Sequence, residues 1–199
     1  MLGFVIGNGE SRRGYDLTKL KEFGPVYGCN ALYRDFIPDV LVAVDEAMIK
    51  EIKEKISSGE LVVDDFIYRS KGPDGRLLRS VKGSYQDSGY AAGPTALKLL
   101  CERNPDIKEV FLVGFDLYSI GGTRNNIYKG TSCYSDKDSQ PVYPGNWIEK
   151  LARIFVRHDN IKFYRVTDIN YPVPEWFDVD NISTIPYSEF NQKLEVQNG

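Results

Sequence analysis

The sequence predicts an α/β protein, a three-layer Rossmann-like domain on a mostly parallel sheet, and three observations predict it. Strand-like and helix-like segments alternate along the chain. Several strand-like runs, Val40 to Val44 and Val110 to Val113 above all, are apolar without alternation, as suits strands covered on both faces. The first strand runs straight into Gly7-Asn8-Gly9-Glu10-Ser11, a glycine-bearing loop where an open α/β sheet binds nucleotides.

In chain order, residues 2 to 6 read as a short buried strand and Val26 to Cys29 as a second, followed by Val40 to Val44. A helix over Glu46 to Ile56 places Met48, Ile49, Ile52 and Ile56 on one face, and Ser57-Ser58-Gly59 ends it. Leu61 to Val63 and Phe66 to Tyr68 are strand candidates, whereas residues 70 to 88 are polar, glycine-bearing and without clear period. Asp87-Ser88-Gly89 precedes an apolar helix that tolerates Pro94 in its first turn, runs to about Cys101 and closes before Pro105. Glu109 to Gly114 is the clearest central strand, and it leads into Phe115-Asp116-Leu117-Tyr118. An irregular loop of about residues 119 to 145 is long enough to be a lid or binding loop. Asn146 and Glu149 have capping-box spacing for the next helix, and Ile161 to Tyr164 is a last strand. The domain therefore spans residues 1 to 165. Residues 166 to 199 form a wrapping extension with a short helix near Tyr187 to Leu194, and Tyr171, Trp176, Phe177 and Tyr187 could anchor it within the subunit or in a homo-oligomer.

With 199 residues and 42% hydrophobic content, one domain with a substantial core is expected. A net charge of -3 argues against a basic nucleic-acid surface, although Arg12 and Arg13, and Arg76, Arg79 and Lys82, are grouped, as phosphate or glycan contacts or as solvated faces. No apolar run approaches a membrane span and no signal segment opens the chain, so a soluble, cytoplasmic protein is expected. Cys29, Cys101 and Cys133 are too scattered for a disulfide framework, and Cys29 and Cys101 read as buried thiols. His158 is the only histidine, which excludes a histidine-rich zinc site; it falls at a helix end, where a cation stabilises.

Three strand-end segments, Gly7-Asn8-Gly9, Val44-Asp45 and Gly114-Phe115-Asp116, fall at one edge of a parallel sheet, where their polar groups can converge on one ligand. Ser88-Gly89 at a helix start adds backbone donors suited to phosphate. Arg12 stands where the dinucleotide pattern needs its third glycine, so a mononucleotide or nucleotide-sugar is expected instead of NAD. Asp45 and Asp116 could accept from ribose or base, bind a metal or cap a helix. Asp136-Lys137-Asp138 and Asp178-Val179-Asp180 imitate a metal-binding D-x-D without following a central strand, and Lys129 to Ser132 lacks the frame of a phosphate loop.

The ordered set Gly7-Asn8-Gly9-Glu10-Ser11, Cys29-Asn30, Asp45, Ser88-Gly89 and Gly114-Phe115-Asp116-Leu117-Tyr118 resembles that of the bacterial sialyltransferases of glycosyltransferase family 42. The resemblance covers about residues 3 to 165. It implies a single Rossmann-like domain with a lid, acting without a metal cofactor on a CMP-sugar and an acceptor glycan or other hydroxyl compound. It also implies nucleotide contacts from Asn8, Ser11, Asn30, Ser88, Gly89, Asp116 and Tyr118. Ile37 to Asp45 is closer to a segment of the motility accessory factors and the hydroxymethylpterin pyrophosphokinases. That likeness implies an alternative, Mg²⁺-dependent pyrophosphoryl or nucleotidyl transfer with the ion at Asp45 and Asp116. The loop before the helix near Asn146 lacks the family's general-base histidine, leaving Tyr143, Asp136 and Asp138 as candidate bases; loss of catalysis with retained nucleotide binding is the further alternative. Glu10, in place of the family's proline, puts a negative charge near the phosphates unless a metal or Arg12 and Arg13 offset it.

Overall fold

The computed structural model describes residues 1–72, 75–119, 121–174 and 179–196. The chain is α/β. One nine-stranded sheet has the order β6-β5-β4-β3-β2-β1-β7-β8-β9. Its strands are β1 (Leu2–Ile6), β2 (Val26–Cys29), β3 (Val40–Ala43), β4 (Asp65–Gly72), β5 (Gly75–Ser80), β6 (Gly83–Gln86), β7 (Glu109–Val113), β8 (Lys162–Val166) and β9 (Ile182–Ile185). All pairings are parallel except those of β4 with β5 and β5 with β6. The helices are α1 (Glu46–Ser58), α2 (Ala92–Arg103), α3 (Gly145–Arg157) and α4 (Tyr187–Val196).

The apolar strands alternate their side chains between two cores. Val5, Val42, Val110, Leu112 and Phe163 face α2 and α3, where Leu97, Leu100, Leu151 and Phe155 cover them. On the opposite face Phe4, Ile6, Phe111 and Val113 meet Leu20, Phe190 and Leu194, while Leu41 and Ala43 meet Met48, Ile49 and Ile52 of α1. This is the three-layer arrangement expected from strands that are apolar on both faces.

The departures lie where the sequence lacks a period. Residues 70 to 88 are no irregular stretch: β4 runs on to Gly72, and β5 and β6 fold back on it as an antiparallel ribbon. Among the residues of β5 whose burial is described only Leu78 is buried, so the ribbon has too little apolar patterning to announce itself. Leu61 to Val63 is not a strand; Leu61 is buried beneath α1 and Val62 is exposed. The capping box fails, because α3 begins at Gly145 after Pro144 with no side-chain cap, and Glu149 instead accepts from Arg153 at 2.6 Å. The extension supplies β9 as a further parallel strand and α4 as the cover of the Phe4 and Phe111 core. Tyr171 is buried within the chain and Tyr187 packs beside Phe190, so both are internal anchors; Trp176, Phe177 and Asp178 lie outside the described residues. No helix among the described residues is long and apolar enough to cross a membrane.

Candidate functional site

Strand order reverses at the β1/β7 pair: the chain leaves β1 toward β2, β3 and β4, then returns through α2 to β7 on the other side. Loops leaving two such neighbours diverge and open a crevice, the usual binding place in this architecture. A cavity of about 690 Å³ lies there, at the carboxyl edge of the sheet. Of the residues singled out in the sequence, Gly7, Asn8, Gly9, Asn30, Asp45, Gly89, Asp116 and Tyr118 line it. Ser11, Ser88, Asp136, Asp138 and Tyr143 do not. Asp136 and Asp138 are exposed, and Tyr143 is 76% exposed.

The glycine loop has a different local purpose from the one its composition suggests. The Gly7 N–H donates to the Val113 carbonyl at 2.8 Å and the Gly9 N–H to the Gly114 carbonyl at 2.9 Å. A Cβ on Gly7 would lie 2.5 Å from the Gly114 oxygen, and one on Gly9 would lie 2.5 Å from the Asp116 carboxyl carbon. The missing side chains thus let the two strand-end loops touch each other. Asp116 is 2% exposed. One of its oxygens accepts the Ser11 backbone N–H at 2.9 Å and the other the Ser11 hydroxyl. Burial, together with the nearby Asp116 carboxylate, pushes the Tyr171 phenol up to about 12. Asp116 therefore fastens the loop as well as bordering the cavity.

Arg12 is no phosphate ligand in this arrangement. It is buried, and it donates to the Gly7 carbonyl at 2.8 Å, the Tyr128 hydroxyl at 2.8 Å and Asp35 at 3.3 Å. The negative charge of Glu10 is met by Arg13 at 2.7 Å and Lys129 at 3.4 Å.

The 119 to 145 loop divides into two parts. Tyr128 is buried against the α1 core, the Ile127 N–H donates to the Asn8 carbonyl at 2.8 Å, and Arg34 donates to Thr131 at 2.7 Å. Glu51 gathers Arg34, Tyr33 and Ser132 around one carboxylate. Burial opposes its ionisation, yet hydrogen bonds from Ser132, Tyr33 and Arg34 prevail and hold the carboxyl at about 2. Asn125 joins three segments: its Oδ1 accepts the Glu10 N–H at 2.8 Å, while its Nδ2 donates to the Tyr118 carbonyl at 2.7 Å and the Tyr171 hydroxyl at 2.9 Å. Beyond residue 135, Pro141 and Val142 border the cavity.

The groups left available in the cavity are partly ones that the sequence singles out, Asp45, Asn8 and Asn30, and partly ones that it does not, Arg124 and Lys150. The Asp45 carboxylate has no hydrogen-bond or ion-pair partner among the described residues, and it does not cap α1. Arg124 and Lys150 bring positive charge; Lys150 pairs with Glu149 at 3.3 Å, whereas Arg124 bonds Ser135 at 2.7 Å and has no carboxylate partner among the described residues. The N-termini of α1, α2 and α3 all border the cavity, and none carries a side-chain cap. Uncapped helix starts present free N–H groups and the positive end of the helix dipole. Asn8 and Asn30 each keep a buried Oδ1 without a partner, although Asn8 Nδ2 donates to the Cys29 carbonyl at 3.3 Å. Asn30 and Leu117, at φ 53° and 64°, hold left-handed backbone at the cavity wall, which costs a non-glycine residue about 1–2 kcal/mol.

No set of three or more metal-ligating side chains occurs among the described residues. Both Asp116 oxygens are engaged by Ser11, which leaves Asp45 as the carboxylate open to an ion. Cys29 and Cys101 are buried as expected, and burial pushes the Cys29 thiol up to about 12. His158 does end α3, but burial lowers its pKa and so disfavours the cationic form expected there. Comparison with family models, curated proteins and solved structures finds no significant match to this chain.

Proposed function

We infer that the protein is a nucleotide-sugar-dependent glycosyltransferase of the sialyltransferase-like kind, transferring an activated sugar to an acceptor hydroxyl without a resident metal. The observation that carries this reading is the meeting of three uncapped helix N-termini, Arg124 and Lys150 on one cavity at the strand-order reversal. Such a wall favours an anionic phosphate, and fixed donors stabilise the charge that grows on a departing nucleotide phosphate. The unpartnered Asn8 and Asn30 oxygens suit a ligand rich in donors, such as a ribose or the amino group of cytosine.

In the reaction, the acceptor oxygen forms a bond to the anomeric carbon while the bond from that carbon to the phosphate oxygen breaks. The electron pair stays on the nucleotide. Asp45 takes the acceptor's proton, since its free carboxylate borders the cavity and Tyr143, Asp136 and Asp138 do not. Orientation of donor and acceptor in one cavity supplies the remaining acceleration.

A thermal-shift panel of nucleotides and nucleotide-sugars, with Mg²⁺ or with EDTA, tests the reading. CMP or a CMP-sugar is expected to raise the Tm in EDTA, and D45N is expected to keep that shift while transfer falls about 10²–10⁴-fold. A shift confined to a triphosphate with Mg²⁺ would turn the assignment to pyrophosphoryl or nucleotidyl transfer. Binding without turnover across acceptors would make the protein a nucleotide-binding protein without catalysis, and no shift from any nucleotide would remove the reading altogether.

A further inference from the structure

β4 pairs with β3 only through Asp65 to Tyr68, whereas Arg69 to Gly72 continue past the sheet edge and pair only with β5. At about 3.3 Å per residue, this half of the ribbon projects roughly 13 Å beyond the parallel strands, on the side where the cavity opens. Its register sets Lys71 directly opposite Arg76. Both are exposed, and neither has an ion-pair partner among the described residues. Like charges placed directly across an antiparallel pair are destabilising.

The period of two puts Arg69, Lys71 and, across the pair, Arg76 on the same face of the ribbon, and Arg69 borders the cavity. Asp87 forms an ion pair with neither of the outer two, although its carboxylate lies close enough to Arg76 for their charges to interact. Its side chain is fully buried, its oxygens accept from Arg69 at 2.5 and 3.0 Å, and one also accepts the Gly89 N–H at 2.8 Å. Burial alone would raise the Asp87 pKa, but Arg69 and the Gly89 N–H hold it below the usual carboxylate range. The sequence from 66 to 86 carries five cations, Arg69, Lys71, Arg76, Arg79 and Lys82, against one acid, Asp74, which lies outside the described residues.

We propose that Lys71 and Arg76 form an anion subsite at the cavity mouth, and that the acceptor bears a phosphate or another anionic group that sits between them. The subsite rests on the glycosyltransferase reading for the word acceptor; the anion binding itself does not. An anion between the two side chains cancels the cross-strand repulsion, so occupancy gains what the empty register loses. Arg69, already satisfied by Asp87, keeps the inner end of the track fixed instead of competing for the ligand.

Titration of inorganic tripolyphosphate, followed by backbone amide shifts in NMR, tests the proposal. Shifts are expected at Lys71 and Arg76, and K71Q/R76Q is expected to weaken that site at least tenfold while nucleotide shifts at Gly89 to Gly93 persist. Both side chains are exposed, so Tm reports whether the variant still folds. R79Q/K82Q serves as the control for general basicity, because Arg79 lies on the other ribbon face and Lys82 at the β5–β6 turn. Equal loss in that control, or unchanged affinity in K71Q/R76Q, overturns the subsite. Retention of the protein by phosphatidylglycerol vesicles but not phosphatidylcholine vesicles, lost in K71Q/R76Q, assigns the anion to a lipid headgroup; tripolyphosphate shifts without vesicle retention assign it to a soluble acceptor. Ribbon shifts in a protein that binds no nucleotide would retain the anion site and reject the glycosyltransferase reading.

Discussion

The loops at the β1/β7 edge and the β4–β6 ribbon are both rich in glycine and polar side chains, yet they use them in opposite ways. At the strand-order reversal, Asp116, Ser11, Asn125 and Arg12 spend their hydrogen-bonding capacity on one another and on the backbone. On the ribbon, Lys71, Arg76, Arg79 and Lys82 stand in solvent without carboxylate partners among the described residues. Internal satisfaction makes a rigid wall, and unsatisfied charge makes a surface that gains from a ligand. Asp116 and Arg12 are thus scaffold of the cavity edge, while Asp45, Arg124 and the Asn8 and Asn30 oxygens are the groups left over for a ligand.

The sharpest way to break this contrast is D116A. It strips the Ser11 N–H and hydroxyl of their acceptor, and it removes the carboxylate nearest in electrostatic effect to Arg165, which is 1% exposed and bonds the carbonyls of Tyr171 and Pro172. Loss of a partner in a buried polar network costs about 3–5 kcal/mol, so urea unfolding should show a large drop in midpoint. A loss below 1 kcal/mol would mean that Asp116 is held for a ligand rather than for the loop.

G7A comes next. Its Cβ would meet backbone, the Gly114 oxygen at 2.5 Å, which cannot rotate away. Overpacking of this kind costs about 1–3 kcal/mol, and the same unfolding experiment reads it. An unchanged midpoint would show that the two loops separate easily, and the rigid wall would be no wall.

Glu51 tests how firmly the long loop is tied to the body. Its folded pKa, about 2, lies below the ordinary 4.5, so its stabilisation is complete above about pH 4.5 and disappears as pH falls toward 2. The stability lost across that window is on the order of 2 kcal/mol, and E51Q should flatten that part of the profile. If the parent and E51Q profiles run parallel, the Arg34, Tyr33 and Ser132 cluster does not hold the loop.

How much of this was legible depends on whether a residue's purpose is local. The apolar runs of β1, β3 and β7 and the helical period of α1 and α2 fixed layers and strand identity, because burial on two faces or on one stripe is written in composition. The ribbon was hidden because, among the residues of β5 whose burial is described, only Leu78 is buried, leaving no apolar alternation to detect. β9 was hidden for a similar reason: Ser183 and Thr184 are exposed, and only Ile185 is buried. In the site, strand-end position correctly brought Asn8, Asn30, Asp45 and Asp116 to one cavity. Arg124, Lys150 and Trp147 reach it from the long loop and from α3, whose positions depend on long-range packing that no local pattern encodes. The capping box misled because Asn146 and Glu149 have the right spacing, while Pro144 takes the cap position two residues earlier.

The smallest expected effect has the opposite sign. K71E replaces the Lys71–Arg76 repulsion with an attractive cross-strand pair, and such pairs are worth about 0.2–1 kcal/mol. The variant should therefore unfold at slightly higher urea than the parent, and the gain should shrink in high salt because the pair is exposed. The changes at the β1/β7 edge destabilise because Asp116 already has its partners and Gly7 is already in close contact with Gly114. A gain from K71E would establish that the ribbon was left short of a partner, and it should come with weaker tripolyphosphate binding. No gain, or a loss, would mean that solvent already screens the two cations fully, and the contrast between a satisfied wall and an unsatisfied ribbon would rest on the wall alone.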